Sequence, residues 1–220
     1  MLNCINIKGY KSIKDINLEL RSLNVFIGAN GAGKSNLISL FYLIDRMIEK
    51  SLQLYVGQSG GADAILYFGQ KVTDRMSVKL DFGKNGYEFA LAPTRDDRLI
   101  FAGEDYFYRE AGDNQAGIVS LGNGQKEALL PDEAEKNPGS PAAHVLETVK
   151  NRRVYHFHDT GDSAKMKQFC NINDNFFLKT DAANLAAYLF LLQETHNAWG
   201  KKLACPVFFS SHWNSNKDKK

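Results

Sequence analysis

The chain has 220 residues and a formal net charge of only +2 at neutral pH, so its overall charge gives no signal for nucleic-acid binding, although a local basic patch is not excluded. Hydrophobic residues make up 44% and charged residues 24%, the ordinary balance of a globular protein. No apolar run approaches the roughly 18 residues of a membrane span, the N-terminus "MLNCINIKGYKS" lacks an apolar leader, and the three cysteines (Cys4, Cys170 and Cys205) are too scattered for a disulfide framework or zinc cluster. The expectation is a cytoplasmic chain.

In chain order, the first strong pattern is strand, loop, helix. "LNVFI", Leu23 to Ile27, is apolar and short, as a buried strand would be. It runs into Gly28-Ala29-Asn30-Gly31-Ala32-Gly33-Lys34-Ser35, then Asn36, which satisfies the G-x-x-x-x-G-K-[ST] pattern. The residue types follow from the chemistry of a phosphate cradle. Glycines let the backbone curl so that N–H groups converge on an anion. Lys34 supplies positive charge for the β- and γ-phosphates, and the Ser35 hydroxyl can ligate Mg²⁺. A helix beginning there aims its N-terminal dipole at the same anion. Leu37, Leu40, Phe41, Ile44, Met47 and Ile48 then recur at helical spacing. Together these features point to a nucleotide bound with Mg²⁺.

Beyond the helix, Gly60-Gly61 marks a turn before the apolar run Ile65 to Phe68. Met76, Val78, Leu80 and Phe82 alternate with polar residues, and Tyr87, Phe89 and Leu91 alternate back, with Asn85-Gly86 as the expected turn. "RLIFAGEDYFYRE" suggests one or two further strands. Residues 111–140 are rich in Gly, Asn, Asp, Glu and Pro and read as a mobile insertion around a hairpin at Asn123-Gly124. Ser140-Pro141 has the form of an N-cap followed by proline at the first helical position, opening a helix to about Asn151. Short and long helices are expected at Ser163 to Phe169 and Asp181 to Asn197, the latter with Leu185, Tyr188, Leu189 and Leu192 on its apolar face. Residues 198–220 diverge into a polar, lysine-ending tail expected to be disordered.

The stretches "INIKGYKSIKDINLEL" and "LNVFIGANGAGKSNLISLFYLI" resemble the N-terminus of RecF/SMC-like ABC-type ATPases, and more closely the stand-alone bacterial ATPases grouped as RecF-like or AAA-type. "GGADAILYFGQKVTDRMSVKLDF", "VYHFHDT" and "DAANLAAYLFLLQETH" extend the likeness over roughly residues 2 to 197. The resemblance implies an α/β P-loop NTPase fold: an ABC-ATPase-head-like mixed sheet with an antiparallel subsheet and a helical segment, incomplete in this chain. It implies that Lys11 and Ser12, in the "GYKS" turn, contact nucleotide. It also implies a homodimer, or a pairing with another ATPase head, that sandwiches ATP, and a setting in DNA repair or phage defence. Lys8, Lys11, Lys14 and Arg21 are scattered basic residues that do not by themselves mark a DNA site.

Hydrolysis in that architecture requires a serine-glycine signature, a strand ending in Asp-Glu and a switch histidine. "SLGNGQKEALLP", Ser120 to Pro131, is a poor signature: Gly122 stands at the serine position, and Pro131 is expected to interrupt the following helix. "RVYHFHDT" ends with Asp159, but Thr160 replaces the catalytic glutamate. His156 and His158 share a strand face and could join Asp159 at a metal, or could be hydrogen-bonded within a partly buried strand. The catalytic residues are therefore unassigned. The chain reads as an ATP-binding portion that would hydrolyse in a full-length or dimeric context, whether truncated or naturally short. The alternative is a non-catalytic regulatory fragment that pairs with a full-length ATPase. A P-loop kinase or GTPase fits less well, since no guanine-reading "NKxD" occurs and the β-rich arm departs from alternating βαβ units.

Overall fold

A computed structural model describes residues 2–21, 24–29, 31–109, 117–150, 164–179 and 181–195. The chain divides into two compact units, Met1–Arg152 and Arg153–Lys220.

The first unit is built on one antiparallel sheet. Its strands are β1 (Cys4–Tyr10), β2 (Ile13–Glu19), β3 (Met76–Asp81), β4 (Asn85–Pro93), β5 (Leu99–Tyr108) and β6 (Gly117–Gly122), in the spatial order β2-β1-β3-β4-β5-β6. Among the described residues five helices accompany it: α1 (Lys34–Ile48), α2 (Leu52–Gln58), α3 (Ala62–Ile65), α4 (Leu130–Lys136) and α5 (Pro141–Lys150). Alternation decides which residues point to the core. Ile5 and Ile7 of β1, Met76, Val78 and Leu80 of β3, and Phe89 and Leu91 of β4 are buried. They share a single apolar cluster with Leu40, Leu43, Ile44 and Met47 of α1 and with Val145 and Val149 of α5. The 3.6-residue reading of α1 is borne out, with Leu43 as an added core contact.

Several local expectations change. The β3–β4 reversal lies at Gly83-Lys84, because Gly83 adopts a positive φ of 87° and the Phe82 amide donates to the Asn85 carbonyl at 2.8 Å. Asn85 and Gly86 are already paired strand residues. Gly86 is needed for packing: a Cβ there would lie 2.1 Å from Phe107 Cζ and 2.4 Å from the Leu80 carbonyl oxygen. No hairpin forms at Asn123-Gly124. The chain continues beside β5, with the Gly124 amide donating to Phe101 O at 2.7 Å and Phe101 N to Gln125 O at 2.9 Å. Residues 117–140 thus contribute an edge strand and a helix, with Ala128, Leu130 and Ala134 buried. Pro131 opens α4 in its first turn, where a missing N–H does no harm, and so does not interrupt a helix. The segment before the Gly60-Gly61 turn forms helix α2, which the sequence reading missed.

Two acidic side chains bind this back half together. Glu104 is fully buried; its carboxylate accepts from Tyr87 Oη (2.8 Å), Gln125 Nε2 (2.9 Å), the Leu129 amide (2.9 Å to the nearer oxygen) and the Leu130 amide (3.0 Å). It thereby joins β4, β5 and the start of α4. Glu127 accepts the Leu52 and Gln53 amides at 2.8 and 3.1 Å, occupying donors that the first turn of α2 leaves without intrahelical partners.

In the second unit, a 3₁₀ turn (Lys165–Lys167) precedes α6 (Leu185–Thr195). The helix starts later than Asp181 because Asp181 and Asn184 fold the preceding residues into turns. Asp181 Oδ1 accepts the Ala183 amide at 3.2 Å, and buried Asn184 donates to the carbonyls of Asp174 and Phe177, both at 2.8 Å. Ala187 is the buried residue of α6, and Leu185, Tyr188, Leu189 and Leu192 are half-buried. Residues 151–163, with His156, His158 and Asp159, and the tail from 196 onward lie outside the described residues.

Candidate nucleotide-binding site

The loop Gly28 to Gly33 leads into α1 through two left-handed glycines, Gly31 at φ 85° and Gly33 at φ 90°. A side chain at either position would strain that conformation. Gly33 is the N-cap residue of α1, makes no side-chain cap, and is followed by no acidic residue in the first helical turn. The positive end of the helix dipole therefore carries no internal counter-charge. Lys34 Nζ folds back over the loop, donating to the carbonyls of Gly28 (2.5 Å) and Ala29 (2.8 Å). The Ala32 amide donates to Ala29 O at 3.2 Å, closing the curl. Ser35 is exposed on the first turn. The ammonium, uncapped helix end and curled backbone fit an anion, and the Ser35 hydroxyl fits one ligand position of a hard divalent cation. Asn30, at the centre of the loop, lies outside the described residues.

The strand expected before the loop is corrected. Residues 24–27 form no strand, and Val25, Phe26 and Ile27 are 73%, 48% and 92% exposed. A strand is defined by its ladder partners, and none of the six strands pairs with this segment. Apolar composition alone could not provide one.

The structure brings Lys11 and Ser12 to the cradle. They occupy the tight turn between β1 and β2, with Lys11 at φ 46°. Asn36 Nδ2 donates to Ser12 Oγ at 2.7 Å, and Lys11 Nζ donates to Ser39 Oγ at 3.2 Å. Ser39 itself donates to Asn36 O at 2.9 Å and shares a 2.8 Å hydrogen bond with Tyr10 Oη. Burial pushes the Tyr10 phenol well above its ordinary value, with the Ser39 bond acting in the opposite direction. Sequence reading missed Ser39 and Tyr10: one helical serine and one strand tyrosine carry no motif, and only the packing of α1 against the turn joins them.

Beside this contact lies a cavity of about 680 Å³, lined by Lys11, Ser12, Asn36, Asp63, Ala64, Leu66, Phe68 and Gly69. Residues 65–67 are tied to the turn from below: Lys11 N donates to Ile65 O at 2.8 Å, and Tyr67 N to Gly9 O at 2.9 Å. Among the described residues, no group of three or more His, Cys, Asp or Glu side chains is placed to hold a metal.

An α/β arrangement with a glycine-lysine loop opening a helix defines the P-loop NTPase class. Within that class, the chain belongs to the AAA ATPase domain family, whose model matches residues 1–185. Membership carries an ATP-binding, ATPase-type function. No curated protein sequence matches the chain. Among solved structures, the chain is similar to one described as "Structural biochemistry of ATP-driven dimerization and DNA stimulated activation of SMC ATPases". The identity is 15% and the TM-score 0.41, over 79% of this chain and 94% of that one. A likeness that distant supports no conclusion about function. Among the described residues, no helix is long and apolar enough to cross a membrane.

Proposed function

We propose that Gly28 to Asn36, with Lys11 and Ser12, bind the triphosphate of ATP together with Mg²⁺, as the nucleotide-holding part of a RecF/SMC-like ATPase. One observation carries the reading: a left-handed glycine loop delivers Lys34 and the uncapped start of α1 to the same place. Lys34 exchanges its two loop carbonyls for phosphate oxygens, and the amides of the first turn of α1 donate to the same anion. Ser35 would hold Mg²⁺, which when bound neutralises charge on the β- and γ-phosphates. Ser12 and Asn36 fix the position of the β1–β2 turn against the helix, so that Lys11 adds a second cation nearby.

Water activation is not assigned to any residue of this chain, and turnover is read as a property of a dimer or of a pairing with another ATPase head. A role in DNA repair or phage defence rests on the family resemblance alone. Isothermal titration with Mg·ATP tests the binding. Micromolar-range affinity that falls about a hundredfold or more in Lys34→Ala supports the reading; equal affinity in wild type and variant overturns it.

A further inference from the structure

Phe68 is 74% exposed and sits at φ 53°, a conformation that costs a non-glycine residue about 1 kcal/mol or more. Exposed aromatics are common, but this one is held rigidly. Thr73 Oγ1 donates to Tyr67 O at 2.6 Å, the Gly69 amide donates to Leu66 O at 3.1 Å, and the Tyr67 ring packs edge-on to Phe68 at 4.7 Å. Leu66, buried beneath, bridges to Tyr10 at the start of the β1–β2 turn. Phe68 is therefore positioned relative to Lys11 and Ser12 by hydrogen bonds at fixed register. Asn36, two residues after the cradle lysine, lines the same cavity. Asp63 lines the same space, and its Oδ1 accepts the Gln70 amide at 2.9 Å, which orients the carboxylate. A carboxylate has about four acceptor positions, so this bond leaves it capacity to accept from a ligand.

We propose that this cavity is a nucleobase subsite, in which Phe68 stacks on the base and Asp63 accepts a hydrogen bond from its exocyclic amino group. The inference rests on the nucleotide-binding reading of the cradle and adds the part of the ligand that the cradle cannot recognise. The cavity is open to solvent, and its volume of about 680 Å³ leaves room for a base to lie against the Phe68 ring. A solvated ring on a fixed backbone is a stacking platform, because every base presents a π-face. The acceptor-only carboxylate favours a base that offers an amino donor over one that offers a carbonyl oxygen at the same place.

The test titrates the purified chain, in Mg²⁺ buffer, with ATP, inosine triphosphate and inorganic tripolyphosphate. Wild type should bind ATP more tightly than tripolyphosphate. Phe68→Ala should weaken ATP binding about tenfold or more and leave tripolyphosphate unchanged, and Phe68→Tyr should restore ATP affinity. Inosine triphosphate, with a carbonyl oxygen in place of the amino group, should bind more weakly than ATP, and Asp63→Asn should narrow that gap. ATP binding no tighter than tripolyphosphate, or insensitive to Phe68→Ala, overturns the base subsite and leaves the cradle intact. Failure of wild type to bind either ligand overturns both. Phe68 is a surface residue, so its variants should keep the wild-type circular dichroism spectrum.

Discussion

Replacing Glu104 with alanine should be the most damaging single polar substitution in the first unit. Four donors, from Tyr87, Gln125, Leu129 and Leu130, lose a fully buried acceptor at once, with the Tyr87 and Leu130 bonds buried and the other two partly buried. A buried donor left unpaired costs about 1–3 kcal/mol, but neighbours relax together and the penalties do not add fully. Discounted in that way over two buried and two partly buried hydrogen bonds, about 4 kcal/mol is the expectation for this site. With a urea m-value of about 2 kcal/mol/M, the unfolding midpoint should fall by about 2 M. Glu104→Gln should cost roughly half as much, about 2 kcal/mol, because it keeps one carbonyl oxygen but turns a donor toward donors. Urea titration followed by far-UV circular dichroism measures both variants. If Glu104→Ala lies within about 1 kcal/mol of wild type, the carboxylate is not what joins α4 to the sheet, and the reasoning fails.

Gly86→Ala should destabilise by about 2–3 kcal/mol in the same assay, since its Cβ would overlap the Phe107 ring and the Leu80 carbonyl. Glu127→Ala should cost about 1 kcal/mol by freeing the two α2 amides it accepts, and Glu127→Asp should recover part of that loss. Stability should also fall at alkaline pH. Burial, with the Glu104 charge second, pushes the Tyr87 phenol well above its ordinary value, and burial raises Tyr10 likewise. Each native phenol keeps its proton where the unfolded chain loses it. Their contribution is therefore complete below about pH 10 and declines above it, by up to about 1.4 kcal/mol per pH unit for each group. Urea midpoints measured from pH 8 to 11 should show this slope, and Tyr87→Phe should flatten it.

The sequence by itself determined the cradle, the helix after it, and the alternating strands that form the sheet centre. Those features are local: glycine at left-handed φ, a 3.6-residue apolar repeat and a period of two are properties of neighbours in the chain. Ser140-Pro141 was legible for the same reason, with Ser140 Oγ accepting the Ala143 amide at 3.3 Å. Tertiary structure decided what depends on partners far along the chain. Leu23 to Ile27 had the composition of a buried strand, yet no described strand pairs with residues 24–27, and an unpaired segment is no strand. The turn at Gly83, shifted from Asn85-Gly86, was set by register with β5, whose Phe107 occupies the space a side chain at Gly86 would need. Tyr10, Ser39, Asp63 and Phe68 gathered beside the cradle only because the β1–β2 turn bonds to both α1 and the segment after α3. The motif that holds phosphate was written in consecutive residues. The surface beside it exists only where three distant segments meet.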